Sequence, residues 1–194
     1  MKTFGLVVPK GGGRTFEANV QTLLAGQEAL AAIILPLLET WHTVRTQAAR
    51  LDSEIIPVAR ASAPCQLMMT VPGIGAFTAL AFASMIEDPA NFKNARAVRA
   101  YVGLTARSYQ SGEIDYDGHI SKRGDKHVRS LLYEAAAIVL TRVRRPSALR
   151  SWGLKLMKRA GFKRAAVGVA HKLAIILHAM WRDGSAFNPK IIAA

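Results

Sequence analysis

The feature that most limits the possible folds of this chain is a long apolar stripe between residues 30 and 58. Its spacings alternate strictly between four and three residues, which is the heptad pattern of a helix that packs along its length. The pattern therefore predicts a helical segment with one continuous apolar seam. The seam comprises Leu30, Ile34, Leu37, Trp41, Val44, Ala48, Leu51, Ile55 and Val58.

Two interpretations of this seam are open. The favoured one is a coiled coil or helical hairpin, so that two copies associate as a homodimer or higher oligomer through residues 30–58. The other is an amphipathic helix that packs inside its own domain. Pro36 and Pro57 count against one uninterrupted rod, because each proline removes a backbone donor and tends to kink a helix.

The charge of the chain is strongly basic and unevenly distributed. Among 194 residues, 26 are Lys or Arg and 13 are Asp or Glu, a formal net charge of +13. From His119 onward, sixteen basic residues accompany only Asp125, Glu134 and Asp183. With 51% hydrophobic residues the chain can build a core, so general disorder is excluded. The C-terminal excess of cations predicts a polyanionic partner, DNA or RNA.

Several classes of protein are excluded by simple features. Cys65 is the single cysteine, so neither a disulfide scaffold nor a cysteine-based zinc site is expected. The first residues lack the apolar core of a signal peptide. The longest apolar run, residues 29–38, is much shorter than the roughly 18–20 residues of a membrane span. We therefore expect a soluble, cytoplasmic protein with no membrane partner.

A glycine turn joins two apolar helices in the middle of the chain. The turn is Pro72-Gly73-Ile74-Gly75, between an apolar run before it and a helix over residues 76–86. This arrangement resembles a helix-hairpin-helix, in which Gly73 and Gly75 let helix amides meet a nucleic-acid phosphate. A tight link between two core helices explains the same residues equally well.

Helical periodicity stops between Gly103 and Gly124, where we expect a β-hairpin or two extended arms turning at Ser111-Gly112. A serine at such a tip can attack a phosphoryl group while nearby cations neutralise its charge. A solvated turn beside a DNA-binding surface is the alternative. The candidate nucleic-acid-binding cations here are Arg107, Lys122, Arg123, Lys126 and Arg129.

Other clusters of polar residues predict less. Glu113, Asp115 and Asp117 alternate along one strand face, and three carboxylates could bind a divalent ion. We favour a solvated acidic strand and predict no metal site. His171 and His178 are seven residues apart on one helix face, where packing or a phosphate contact is the default role.

The combination of motifs resembles the C-terminal transposase domain of the insertion-sequence-110 type, also grouped with types 116 and 902. The resemblance is strong over residues 67–137 and looser to residue 181, and residues 30–58 correspond to the coiled-coil spacer that precedes this domain. The matching motifs, in order, are PGIG, Phe92, Gly103-Leu104-Thr105, Gln110-Ser111-Gly112, Ile120-Ser121-Lys122-Arg123-Gly124, Arg129 and Glu134-Ala135-Ala136.

The resemblance implies a DNA strand cleavage and exchange reaction in which a serine of this domain becomes covalently linked to DNA. Carried over by motif, the nucleophile is Ser111; Ser108 is a poorer candidate because no glycine follows it. Lys122, Arg123 and Arg129 would hold phosphates beside the scissile bond. A structured guide RNA encoded by the element would choose the DNA partners.

The chain departs from the family pattern at two places. Ala106 stands where the family commonly has proline after Gly-Leu-Thr. No N-terminal resolvase-like domain with four metal-binding carboxylates is present, so Mg²⁺ is expected only with that missing domain and no cofactor in this chain. A truncated C-terminal half of a transposase is the leading hypothesis. A non-catalytic nucleic-acid-binding remnant or regulator that pairs with full-length transposase is the alternative.

The fold expected is mainly α: a long coiled-coil-like helix, then a helical domain with the PGIG turn and one extended hairpin insertion. Within it, residues 4–9 read as a single short strand, the end of the missing domain. The domain division runs as a junction strand at 1–15, a helical dimerisation segment at 16–62, a DNA-binding and catalytic domain at 63–185 and a tail at 186–194.

Overall fold

A computed structural model describes residues 4–111 and 114–191, without the side chains of residues 95, 96, 108–111 and 114–117. The described part contains eight α-helices and one two-stranded antiparallel sheet, which confirms a mainly α fold. It divides into two compact units, Met1–Glu54 and Ile55–Ala194. In chain order the elements are α1 (Arg14–Leu24), α2 (Glu28–Ala61), α3 (Ala63–Met68), α4 (Ala76–Ile86), α5 (Ala95–Val102), β1 (Ala106–Ser111), β2 (Ile114–Ile120), α6 (Lys126–Thr141), α7 (Ala148–Ala160) and α8 (Phe162–Asp183).

The first unit is a helical hairpin in which α1 folds back along the start of α2. The chain reverses at Gly26, whose φ of 76° is the left-handed conformation that glycine adopts at low cost. Phe16 packs on Trp41 with ring centroids 5.2 Å apart, and Glu17 Oε1 lies 2.8 Å from His42 Nδ1. Because the chain reverses at Gly26 and the start of α1 lies beside Trp41, well inside α2, the two helices run antiparallel. Their small core holds Val20, Leu24, Leu30 and Leu38.

Helix α2 is one uninterrupted helix of 34 residues, so the expectation that Pro36 and Pro57 would break it is wrong. Each proline removes only one donor, and the turns beside Pro36 are held by the burial of Leu30 and Leu38 against α1. Part of the predicted seam is buried in this way. Another row, spaced by seven residues, is exposed at 62% for Leu37, 62% for Val44 and 56% for Leu51.

The strand predicted over residues 4–9 is not present, since the described part of this segment pairs with no other strand. The alternating apolar residues Leu6 and Val8 instead pack, partly buried, against the core formed by α1 and α2. The apolar side chains of this segment are therefore buried against helices, and a short apolar run that ends in proline and glycines is not sufficient to predict a strand.

The second unit is built around α8, which contacts α3, α5, α6 and α7. Small residues let the central helices approach closely: a methyl group added at Gly153 of α7 would lie 2.7 Å from Val169 Cγ2, and one at Gly168 would lie 2.8 Å from Leu156 Cδ2. After α8 the chain returns to the body, where Pro189 O accepts a hydrogen bond from Ala148 N at 2.8 Å. Residues of the predicted tail are thus bound to the start of α7.

Among the described residues, no helix has both the length and the apolar character needed to cross a membrane.

Candidate nucleic-acid interface

The chain forms a β-hairpin between α5 and α6, as the loss of helical periodicity predicts. Strands β1 and β2 pair antiparallel, with Tyr109 opposite Tyr116 and Ser111 opposite Ile114. The register shifts between Ala106 and Ser108, which marks an irregularity in β1 near Ala106. Ser111 is the last residue of β1 and is followed by residues 112 and 113, which lie outside the described residues.

Several predicted groups lie outside the described residues. They are Gly112 and Glu113 at the turn, and the side chains of Ser111, Asp115 and Asp117. Ser111 is therefore located by its backbone alone. The described part of the chain contains no group of three His, Cys, Asp or Glu side chains that could hold a metal ion.

The hairpin base, residues 103–105 and 121–125, is closed by backbone hydrogen bonds. Ser121 N donates to Thr105 O at 2.8 Å, and Lys122 N donates to Gly103 O at 3.0 Å. The two segments are too close for side chains at the crossing: a methyl group on Gly103 would lie 2.6 Å from Gly124 N, and one on Gly124 would collide with Tyr101 O. This contact explains why glycine occupies both positions.

Arg129 holds the hairpin base together. Its half-buried Nη1 donates to Gly124 O at 3.0 Å, to Val102 O at 3.2 Å and to Asp125 O at 3.4 Å. These bonds join the end of α5 to the start of α6. The sequence motif indicates Arg129 as a phosphate ligand and gives no sign of this structural role, because the acceptors include a carbonyl distant along the chain.

The other four predicted cations, Arg107, Lys122, Arg123 and Lys126, are exposed around the hairpin base. None forms an ion pair with another described side chain. Arg107 Nη2 donates to Ser121 O at 3.2 Å, which ties β1 to the segment after β2. Lys122 has a φ of 56°, a conformation that non-glycine residues rarely adopt.

Asp125 is the acidic exception within this cationic region, and its role is to begin α6. Its Oδ1 accepts a hydrogen bond from Val128 N at 2.9 Å, as predicted for an N-cap. This bond lowers the pKa of Asp125 most, with smaller contributions from His127 and Arg129. The Asp125 carboxylate therefore caps the N-terminus of α6.

The PGIG turn connects α3 and α4 and packs on α6. Gly73 has a φ of 92°, and a methyl group there would lie 2.8 Å from Ala135 O. Gly75 differs, because its φ is −99° and a methyl group there would meet open space. Gly75 is the N-cap of α4 and provides no capping side chain. The geometry gives Gly73 a packing role and leaves Gly75 accessible.

His178 has a packing role. It is 1% exposed, its Nε2 lies 3.0 Å from Pro89 O, and its ring contacts Phe92 edge-on with centroids 5.7 Å apart. Packing was one of the two default roles predicted for this histidine, and Phe92, named among the sequence motifs, is its partner.

The fold and this region define a mainly α-helical protein whose C-terminal unit carries a hairpin with four exposed cations at its base. Residues 65–152 match the model of the family described as "Transposase IS116/IS110/IS902 family". This match confirms the resemblance found in the sequence: residues 65–152 are similar to that family of transposases.

Similarity to individual proteins extends beyond that segment. The chain is 30% identical over 192 residues to a "Probable family 20 transposase" of Pseudomonas aeruginosa, covering 96% of this chain and 57% of that protein. It is 32% identical over 185 residues to the "Transposase for insertion sequence element IS1111A" of Coxiella burnetii, covering 93% and 51%. A "Pilin gene-inverting protein" of Moraxella lacunata is 32% identical over 128 residues, covering 64% and 39%. The chain spans about half the length of the curated relatives it matches.

Proposed function

We propose that this protein takes part in DNA transposition by binding DNA and by cleaving and exchanging strands through Ser111. The observation that carries the proposal is the hairpin, which ends β1 at Ser111 and has four exposed cations at its base. The match of residues 65–152 to a transposase family supports it, as do relatives named for transposition and for gene inversion. Gene inversion and transposition both require DNA strands to be cut and rejoined.

The chemical step is a transesterification at phosphorus. The Ser111 hydroxyl gives up its proton to a base, and its oxygen forms a new bond to the phosphorus of a DNA phosphodiester. One of the two original P–O ester bonds breaks, and the released DNA oxygen takes up a proton. Attack by the released hydroxyl of another strand on the phosphoserine reverses these bond changes and completes the exchange.

The cations bind phosphates that flank the scissile one. Arg107 and Ser111 are four residues apart in β1, a separation of about 13 Å at roughly 3.3 Å per residue. Successive nucleotides of one DNA strand rise by about 3.4 Å. Arg107 and the other cations of the hairpin base therefore hold the strand a few nucleotides from the reacting phosphate and fix its path towards Ser111.

Mg²⁺ belongs to a different part of the proposed reaction. The family resemblance attaches it to carboxylates of a resolvase-like domain, and the described residues of this chain contain no matching ligand group. We therefore assign no step of this chain's residues to a metal ion. A structured guide RNA is proposed as a second nucleic-acid partner, bound through phosphates like the DNA.

The proposal also includes a homodimer or larger oligomer formed through α2. Leu37, Val44 and Leu51 form an exposed apolar row at intervals of seven residues, and a second α2 helix would cover it. Strand exchange needs at least two reacting DNA sites, and a dimer would bring two hairpins to them.

The decisive experiment detects the covalent intermediate. Labelled duplex DNA carrying the element ends is incubated with the protein, its flanking RNA and Mg²⁺, with and without a separately expressed resolvase-like domain, and resolved on a denaturing gel. We expect a protein–DNA adduct that Ser111→Ala abolishes while DNA affinity stays within about twofold, since a neutral hydroxyl adds little to phosphate binding.

Ser108→Ala is the matched control, because it removes another β1 hydroxyl and should retain the adduct. An adduct that survives Ser111→Ala would contradict the assignment of the nucleophile. DNA binding without an adduct, even with the added domain, would favour the alternative function of a regulator that pairs with full-length transposase.

A further inference from the structure

A second group of basic side chains, separate from the hairpin base, lies where α5 packs against α8. It consists of Arg99 on α5 with His171 and Lys172 on α8. We call these three residues the α5–α8 cluster. All three are only partly exposed, so their side chains are held against the protein while retaining a surface that a ligand can reach.

The cluster contains unsatisfied polar atoms. Arg99 Nε and His171 Nε2 are buried, and neither has a hydrogen-bond partner in the part of the chain that the structure describes. A buried polar atom without a partner costs free energy, and most such atoms in folded proteins are paired. A phosphate oxygen is a suitable acceptor for Arg99 Nε, and for His171 Nε2 when that nitrogen carries a hydrogen.

The cluster is also electrostatically self-repelling. The pKa of His171 is lowered to about 4, mainly by desolvation and also because Arg99 and Lys172 repel the protonated ring. Desolvation and Arg99 likewise lower the pKa of Lys172. Lys172 also lies over the Trp152 ring of α7, with Nζ 5.0 Å from the centroid, which fixes its position beside the other two.

We propose that Arg99, His171 and Lys172 form a binding site for a backbone phosphate of a nucleic acid, distinct from the hairpin base. A phosphate supplies acceptor oxygens for Arg99 Nε and His171 Nε2, and its negative charge attracts the basic side chains of the cluster. Arg99 lies one helical turn before Val102, whose carbonyl is held by Arg129. The site therefore continues the proposed nucleic-acid path from the hairpin onto α5 and α8.

The inference rests on the proposed nucleic-acid binding, and its first test measures affinity. Fluorescence anisotropy with a labelled DNA duplex and, separately, a labelled RNA hairpin is recorded between about 50 and 200 mM salt. We expect Arg99→Gln to weaken binding about tenfold and to reduce the slope of log affinity against log salt by about one, because one phosphate contact is lost. Comparing the two probes shows which nucleic acid supplies the phosphate.

The matched control is Lys190→Gln, which removes the same charge from an exposed position after α8. It should change affinity by less than about twofold and leave the slope unaltered. Thermal unfolding of Arg99→Gln should occur at the same or a higher temperature than that of the wild type, because the substitution relieves repulsion. If that variant does not fold, Arg99→Lys replaces it: retained charge should keep the slope, while the lost guanidinium weakens affinity.

A second test is independent of DNA chemistry. Imidazole resonances are followed by NMR during pH titrations with and without inorganic tripolyphosphate, and His171→Gln assigns the His171 signal. Bound anion favours the protonated ring, so we expect the pKa of His171 to rise by at least one unit, and Arg99→Gln to reduce that rise.

The outcomes separate this site from the catalytic proposal. An Arg99→Gln protein that binds DNA and RNA as tightly as Lys190→Gln, or a His171 pKa unmoved by tripolyphosphate, overturns the α5–α8 site. Loss of affinity in Arg99→Gln together with absence of any Ser111 adduct supports the site and contradicts the catalytic role of Ser111.

Discussion

At the scale of single residues, cations that look equivalent in the sequence have different roles. Arg123 and Arg129 both follow the hairpin and both carry a positive charge, yet Arg123 is exposed while Arg129 donates to three backbone carbonyls. An exposed cation contributes, through its charge, to the affinity for a polyanionic partner. A cation bound to carbonyls contributes to the stability of the hairpin base.

This difference predicts opposite effects of the same substitution. Arg129→Gln should lower the free energy of unfolding by about 1–3 kcal/mol, because partly buried carbonyls lose a charged donor. Arg123→Gln should leave stability within about 0.5 kcal/mol and weaken nucleic-acid binding. Urea unfolding and anisotropy on the two variants check this. Unchanged stability with weakened binding in Arg129→Gln would show that Arg129 is a phosphate ligand instead.

At the scale of elements, local patterns predicted the helices and the hairpin well. The three-and-four spacing of residues 30–58 marks α2, and the loss of that spacing after Gly103 marks β1 and β2. Residues 4–9 show the limit of such patterns, because a short apolar run is compatible both with a strand and with an extended segment that packs on helices. Pro36 within α2 shows another limit, since tertiary packing against α1 outweighs the loss of a single hydrogen bond.

The candidate sites were only partly predictable for a similar reason. The cations of the hairpin base are close in sequence, so a local pattern reveals them. The α5–α8 cluster joins Arg99 to His171 and Lys172, and only the packing of two distant helices brings them together. Likewise, nothing near Gly73 in the sequence shows that it packs on the backbone of α6.

The PGIG turn offers a test at the element scale, because its two glycines have different surroundings. Gly73→Ala should cost at least about 2 kcal/mol of stability, since the new methyl group meets Ala135 O and the positive φ is unfavourable for alanine. Gly75→Ala should stay within about 0.5 kcal/mol, because its conformation suits alanine and the space is open.

Thermal or urea unfolding of the two turn variants measures this difference, with Gly75→Ala as the matched control for Gly73→Ala. Equal losses in both variants would contradict the packing role of Gly73. If Gly75→Ala folds normally but binds DNA more weakly, the accessible end of α4 takes part in the interface.

At the scale of the whole molecule, the exposed row on α2 and the net charge of +13 act together. Like charge opposes association of two copies at long range, and salt screens that repulsion over about 10 Å at 0.1 M. The apolar row on α2 can outweigh the repulsion that is left after screening only when the two copies are in direct contact. Binding of a polyanion would neutralise the repulsion, so nucleic acid and dimer formation are expected to favour each other.

The oligomer is tested by placing charges in the row. Leu37→Lys with Leu51→Lys should convert the protein to a monomer in sedimentation velocity, because an unpaired cation in an apolar seam is costly to desolvate. Both leucines are exposed within one chain, so the monomer itself should remain folded by circular dichroism.

The control for the row substitutions is Thr46→Lys with Ser53→Lys, which adds the same charge at exposed positions on the opposite face of α2. This control should sediment as the wild type does, since net charge is matched and only the location differs. A mass unchanged by the leucine substitutions would show that a second copy does not cover this row. Equal dissociation of both double variants would show that added charge alone separates the copies.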